Sequence, residues 1–184
     1  MTNVPFMECI GSVMHLTHLT RTEHCIRSWT SIQIFAKPRQ GALEGFETYS
    51  SLYKKTIDFG LLFGGGRSEI CGYCDSDYAG DLESRRSTSG AIFTLHNGAV
   101  SWFSRCQTFV ALSTTEAEFI SAAEGTKEGI WLKRLHLELE ATESATPLRC
   151  DNQGAIARIH DHVFHQRTKH MELLFLNPRI FPIL

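Results

Sequence analysis

Between residues 69 and 103 the apolar positions fall in short runs bounded by turn-forming residues. Glu69 to Cys74 reads as a strand, and Ala91 to Leu95 and Ala99 to Phe103 read as two more. The last two are joined through His96-Asn97-Gly98, and an Asn-Gly pair between apolar runs signals a hairpin. From Thr114 to about Leu139 the period changes: Phe119, Ile120, Ala123, Ile130, Trp131 and Leu135 recur at steps of three and four, as on one face of a helix. Ser113, followed three residues later by Glu116, supplies a capping box at its start. Leu148 to Cys150 then reads as a short strand and Gln153 to Ile159 as a short helix. The order of three strands, helix, strand and helix predicts an α/β (α+β) mixed sheet with helices packed on it.

Residues 1–63 have a different character. They are mostly helix-compatible, with Lys37-Pro38 interrupting the pattern between two candidate helices. The run Gly64-Gly65-Gly66 separates the two regions, so the predicted organisation is a helical segment over 1–66, a sheet domain over 67–172, and a divergent tail over 173–184. In that tail Pro178 and Pro182 interrupt any helix, and the reading is of a truncated or frameshifted end.

Bulk properties narrow the class. The 42% hydrophobic and 21% charged content is that of a globular protein, and 184 residues suffice for one full domain with a partial one. A net charge of −2 gives no overall basic field, so any grip on nucleic acid has to be local or borrowed from a partner. No apolar run approaches the roughly 18 residues of a membrane span, and none follows a basic leader. The expectation is an intracellular protein, cytoplasmic or nuclear, not secreted and without a membrane partner. The six scattered cysteines then read as reduced thiols.

Three acidic residues carry the candidate chemistry: Asp75 closing the first strand, Glu118 in the first turn of the long helix, and Asp151 closing the fourth strand. Each also has a plain structural reading. Asp75 could be a turn residue, and Asp151 could cap the following helix. Glu116 and Glu118, two residues apart, point to nearly opposite helix faces, and the capping box already accounts for Glu116. Spacing does not show that the three acids meet.

The run Gly72-Tyr73-Cys74-Asp75-Ser76-Asp77-Tyr78-Ala79-Gly80-Asp81, followed by Arg86-Ser87-Thr88-Ser89-Gly90, Ser101-Trp102, Gln107, Leu112-Ser113-Thr114-Thr115-Glu116-Ala117-Glu118, Trp131-Leu132, Asp151-Asn152-Gln153 and Arg167-Thr168-Lys169-His170, resembles the ribonuclease H domain of copia-type retrotransposon Pol polyproteins. The resemblance covers residues 70–172. It continues upstream through Gly11-Ser12-Val13-Met14-His15-Leu16, Thr20-Arg21, Lys37-Pro38-Arg39-Gln40 and Ile57-Asp58-Phe59-Gly60-Leu61, which are similar to the tail of the reverse transcriptase region. There the family's Thr-Arg-Pro-Asp is replaced by Thr20-Arg21-Thr22-Glu23, and its Tyr-Leu-Lys-Gly-Thr by Tyr53-Lys54-Lys55-Thr56. The chain has no paired-aspartate polymerase motif, which excludes reverse transcription by this chain alone.

The resemblance implies a ribonuclease H-like fold that hydrolyses the RNA strand of an RNA–DNA hybrid with two Mg2+ ions, for which Mn2+ can substitute. By motif match Asp75, Glu118, Asp151 and Glu172 would hold the metals; the family has aspartate where Glu172 stands, and the longer side chain implies reduced activity. Carboxylates suit the task because clustered like charges call for cations and magnesium prefers oxygen ligands. His165 or His170 could assist proton transfer, or be an ordinary loop histidine. Arg85, Arg86, Arg105, Arg167 and Lys169 would contact phosphates, or be plain surface charges. The polymerase part of a Pol polyprotein is the implied partner.

Two competing readings stay open. One is a decayed or co-opted copy that keeps the fold without catalysis. The other is a small zinc module in which Cys71, Cys74 and the histidines His160, His162, His165 and His170 hold metal, although the chain lacks a second thiolate pair at zinc spacing.

Overall fold

The computed structural model describes residues 53–65, 68–81, 83–140 and 146–160, together with residues 8, 11, 12, 15, 16, 19 and 51. The chain divides into two units, Met1–Leu61 and Leu62–Leu184. In the first, the described residues 8, 11, 12, 15, 16, 19, 51 and 53–55 are helical. Glu172, His165, Arg167 and Lys169, with the tail over 173–184, lie outside the described residues.

The second unit holds a four-stranded sheet. Strands β1 (Cys71–Asp77), β2 (Thr88–Leu95) and β3 (Gly98–Cys106) are followed by helix α1 (Thr114–Glu140), strand β4 (Leu148–Arg149) and helix α2 (Gln153–His160). The sheet order is β3-β2-β1-β4; β1 and β3 pair antiparallel with β2, and β4 runs parallel to β1. The expected element order and the mixed α/β class are observed.

All three long strands extend beyond the apolar runs that announce them. β1 continues to Asp77, so Asp75 lies within the strand, opposite Gly90, and does not close it. β2 begins at Thr88, because Ser89 and Gly90 are buried and Ser89 Oγ accepts a 3.0 Å hydrogen bond from Nε2 of the buried Gln107. The hairpin turn consists of His96 and Asn97, at φ 50° and 65°, and Gly98 is already the first residue of β3, opposite Leu95. Paired positive φ values match the right-handed twist of the flanking strands.

Helix α1 lies against β1 and β2. Ala117, Ile120, Ala122, Ala123 and Leu132 are buried, whereas Trp131 is 56% exposed and Leu135 38% exposed, so the apolar stripe read from the sequence is partly wrong. The inward face carries small and polar groups instead. A Cβ on Gly125 would stand 3.5 Å from the Leu148 methyls, and the Ser121 hydroxyl reaches backbone carbonyls of both Asp75 (2.6 Å) and Gly90 (3.2 Å). Small side chains bring the helix close enough for these bonds, and a pattern scored on hydrophobicity does not register them.

Under the helix sit Phe93 and Leu148, both fully buried, with Cys74, Phe103, Ala155 and Ile159 around them. Gly72 leaves room for that pair: a Cβ there would lie 2.5 Å from Phe93 and 2.8 Å from Leu148. Phe93→Ala is therefore expected to destabilise the domain by about 3–5 kcal/mol and Gly72→Ala by about 1–3 kcal/mol. Urea unfolding measures both, and a Gly72→Ala protein as stable as the parent would contradict this packing.

Candidate functional site

The parallel pairing of β1 with β4 carries the chain of each strand past the same end of the sheet. Strand alternation then sorts the side chains. Gly72, Cys74 and Ser76 turn toward α1, while Tyr73 and Asp75 turn to the opposite face. On β4 and just beyond it Leu148 and Cys150 are buried, and Arg149 and Asp151 are exposed. Tyr73, Cys74, Asp75, Arg149, Cys150 and Asp151 line an open cleft of about 510 Å³. The Arg149 guanidinium stands 5.8 Å from the centre of the Tyr73 ring, an arrangement in which the aromatic face favours the cation.

Glu118 enters from α1. It is the fifth residue of the helix, one past the first turn in which the sequence reading placed it, and the capping geometry explains the offset. Ser113 Oγ accepts from the Glu116 backbone N–H (3.2 Å), and the Glu116 carboxylate reaches back to the Leu112 N–H (2.7 Å). Glu116 is thereby committed to the helix end, and Glu118 faces the sheet. It is 7% exposed, and its Oε1 accepts hydrogen bonds from the Ser76 hydroxyl (2.8 Å) and the Ser76 N–H (3.2 Å). Its Oε2 is buried with no hydrogen-bond partner among the described residues.

Desolvation by burial pushes the Glu118 carboxyl above its ordinary value of 4.5; the Ser76 hydroxyl draws it down, and the neighbouring charges of Asp75 and Asp151 raise it further. Glu118 thus lies within electrostatic reach of both other acids. Glu118, Asp151 and Cys150 also form a group whose ligand atoms all lie within 4.8 Å of one another, and Asp75 is not part of that closest group. Asp151 does not cap α2. Asn152 does, its Oδ1 accepting from the Ala155 N–H at 2.9 Å, which leaves the Asp151 carboxylate to the cleft.

Fit to a cation can be judged on these observations. A buried carboxylate with one oxygen bonded and the other unpartnered, close to a second carboxylate, is the donor set that a divalent ion satisfies. The residues fit.

Arg85, Arg86 and Arg105 are exposed, and none lines the cleft. Arg85 sits at φ 56° in the turn before β2, and Arg105 lies 5.0 Å from the Phe103 ring. Ser76, Arg149 and Cys150 were missed by the reading of the sequence. The alternation of β4 into Asp151 signals the last two, and the position of Ser76 beside Asp75 signals the first. Cys71 and Cys74 join no metal-binding group among the described residues.

Comparison with known proteins agrees with the motifs. No family model matches the chain. It is 37% identical over 175 residues, 95% of its length, to the retrovirus-related Pol polyprotein from transposon TNT 1-94 of Nicotiana tabacum, and 38% identical over 120 residues to that from transposon RE2 of Arabidopsis thaliana. It is also 38% identical over 133 residues to secreted RxLR effector protein 161 of Plasmopara viticola, spanning 94% of that protein. LC11-RNase H1, isolated from compost, superposes with a TM-score of 0.43 at 11% identity, covering 64% of this chain and 84% of the other. The chain belongs to the copia-type retrotransposon Pol polyprotein family. Its three antiparallel strands, fourth strand parallel to the first, and helix crossing them make a ribonuclease H-like fold. It spans 13% of the TNT 1-94 polyprotein and 8% of the RE2 polyprotein. Among the described residues no helix is long and apolar enough to cross a membrane.

A carboxyl whose folded value is raised binds its proton more tightly in the folded state, so its contribution to stability is complete below 4.5 and is lost as pH rises through the higher folded value. In metal-free buffer Glu118→Gln should therefore raise the melting temperature at pH 7, and the gain should vanish below pH 4.5. Melting curves at both pH values check this; a pH-independent difference would contradict it.

Proposed function

We propose that this domain is a ribonuclease H that cleaves the RNA strand of an RNA–DNA hybrid, with catalysis centred on Asp75, Glu118 and Asp151. The observation that carries the reading is the buried, half-bonded Glu118 carboxylate beside Asp151 and under the charge of Asp75. Two divalent ions, magnesium with manganese as a substitute, would be held by these three acids and by Glu172. Bound there, they would supply an activated water and neutralise charge at the leaving 3′ oxygen.

The protein's own share is positioning. Two hydrogen bonds from Ser76 fix Glu118 Oε1, and Oε2 is without a hydrogen-bond partner among the described residues. The Ser121 hydroxyl ties α1 to the backbone of Asp75, so that Glu118 and Asp75 are set by one contact between helix and sheet. His165 is assigned assistance in proton transfer. Arg149 offers a cation at the cleft for a backbone phosphate, and Arg85, Arg86, Arg105, Arg167 and Lys169 would supply further phosphate contacts. Recognition of the hybrid then rests on its shape and 2′-hydroxyls and not on sequence. The 1–66 segment is the reverse transcriptase tail, and the polymerase portion of a Pol polyprotein is the partner.

A second reading, a co-opted copy without catalysis, is favoured by two observations. Glu172 stands where the family has aspartate, and a relative described as a secreted effector consists almost wholly of the matched region.

Cleavage of a labelled hybrid in magnesium decides between them. The proposed reading predicts cleavage by the parent chain and a loss of at least about 100-fold in Asp75→Asn and Asp151→Asn, because even outer partners of a metal site are worth about 10–100-fold. No cleavage in magnesium or manganese by folded protein would support the second reading. Arg149→Ala should weaken hybrid binding and lower the slope of log affinity against log salt by about one. An unchanged slope, measured by fluorescence anisotropy across salt concentrations, would remove Arg149 from the interface.

A further inference from the structure

The carboxylates of the cleft have a thiol among them. Cys150 Sγ and one oxygen each of Glu118 and Asp151 lie within 4.8 Å of one another, from two segments: consecutive residues of the short connection between β4 and α2, and the second turn of α1. With metal–sulfur bonds of about 2.3 Å and metal–oxygen bonds of about 2.1 Å, such donors around a tetrahedral ion sit roughly 3.4–3.6 Å apart, so a closure of about 1 Å would complete the set. A second observation points to an ion independently of this spacing. Glu118 is 7% exposed, its Oε1 is engaged by Ser76, and its Oε2 is unpartnered among the described residues.

Magnesium would ignore the sulfur, since it demands octahedral oxygen coordination and keeps its waters. A softer ion would not, because thiolate ligation selects zinc-class metals over magnesium. We propose that Glu118, Cys150 and Asp151 form a site for a thiophilic divalent cation of the zinc class. On binding, a metal–sulfur bond replaces the Cys150 S–H bond and the proton passes to solvent, with no change of oxidation state. This site differs from the Cys71, Cys74 and histidine grouping considered from the sequence. A further consequence rests on the hydrolase reading: the bound ion occupies two carboxylates that hydrolysis requires, so zinc inhibits where magnesium supports.

The test is a titration of the metal-free full chain with cobalt(II) under reducing conditions, read by sulfur-to-metal charge-transfer absorption in the near ultraviolet. The expected result is a saturable band, displaced by zinc, absent in Cys150→Ser and formed with at least about tenfold weaker affinity in Asp151→Asn. No band in the parent, or an equal band in Cys150→Ser, overturns the proposal. Should Cys150→Ser fail to fold, an unchanged cobalt affinity in Asp151→Asn, altered only at an exposed side chain, overturns it equally. The band is recorded without nucleic acid, which separates the two readings. A chain that shows it without cleaving hybrid sustains the site and refutes the hydrolase, and a chain that cleaves without showing it does the reverse.

Discussion

The arrangement turns on one constraint, the burial of the Glu118 carboxylate at the seam between α1 and β1. A carboxylate removed from water is costly unless its oxygens find partners. Ser76 satisfies one oxygen with both its hydroxyl and its N–H, and the other is left without a protein partner among the described residues. Much of the surrounding structure serves that placement. Gly125 and the small residues of α1 let the helix lie close to Leu148 and Ala91, and Ser121 bolts it to the carbonyls of Asp75 and Gly90. Gln107 adds a further tie, its amide donating to Ser89 on β2 and to the Ala117 carbonyl on α1, both at 3.0 Å. The half-satisfied carboxylate is held in place by these several ties between helix and sheet.

The same frame explains why three acids from distant sequence positions share one environment. β1 and β4 are parallel neighbours, so Asp75 and Asp151 emerge toward one cleft. α1 crosses behind them and delivers Glu118 from the opposite side of the sheet. Each acid raises the protonation demand of the buried one, and a cation placed among them would relieve both the repulsion and the unpartnered oxygen. In the proposed site Cys150 would add a softer donor to this set, making the choice of metal a property of the site and not only of the solution around it.

Much of this was legible in the sequence. The existence of strands β1 to β3, the hairpin between β2 and β3 and the long helix followed from apolar runs, turn chemistry and helical periodicity. The lengths of the strands did not, because Ser89 and Gly90 look like loop residues until the partner of Ser89, eighteen positions away, is known. The inner face of α1 was misread because close approach selects small side chains, and Trp131 and Leu135 satisfy a helical period without being inside. Asp151 could not be separated from a capping role by spacing. Only the structure shows that Asn152 takes that role. The acids were picked out by motif resemblance; that Asp75 and Asp151 bear electrostatically on Glu118 is a fact of topology that no local pattern carries.

On the proposed reading the Glu118 oxygen that is unpartnered among the described residues faces a bound cation. Crystals grown in manganese, with data collected for its anomalous signal, test it most directly. The account predicts an anomalous peak about 2.0–2.2 Å from Glu118 Oε2, shared with a carboxylate oxygen of Asp151 or Asp75. A well-ordered Glu118 whose Oε2 is bonded to protein or to water, with no anomalous peak within bonding distance, would contradict it.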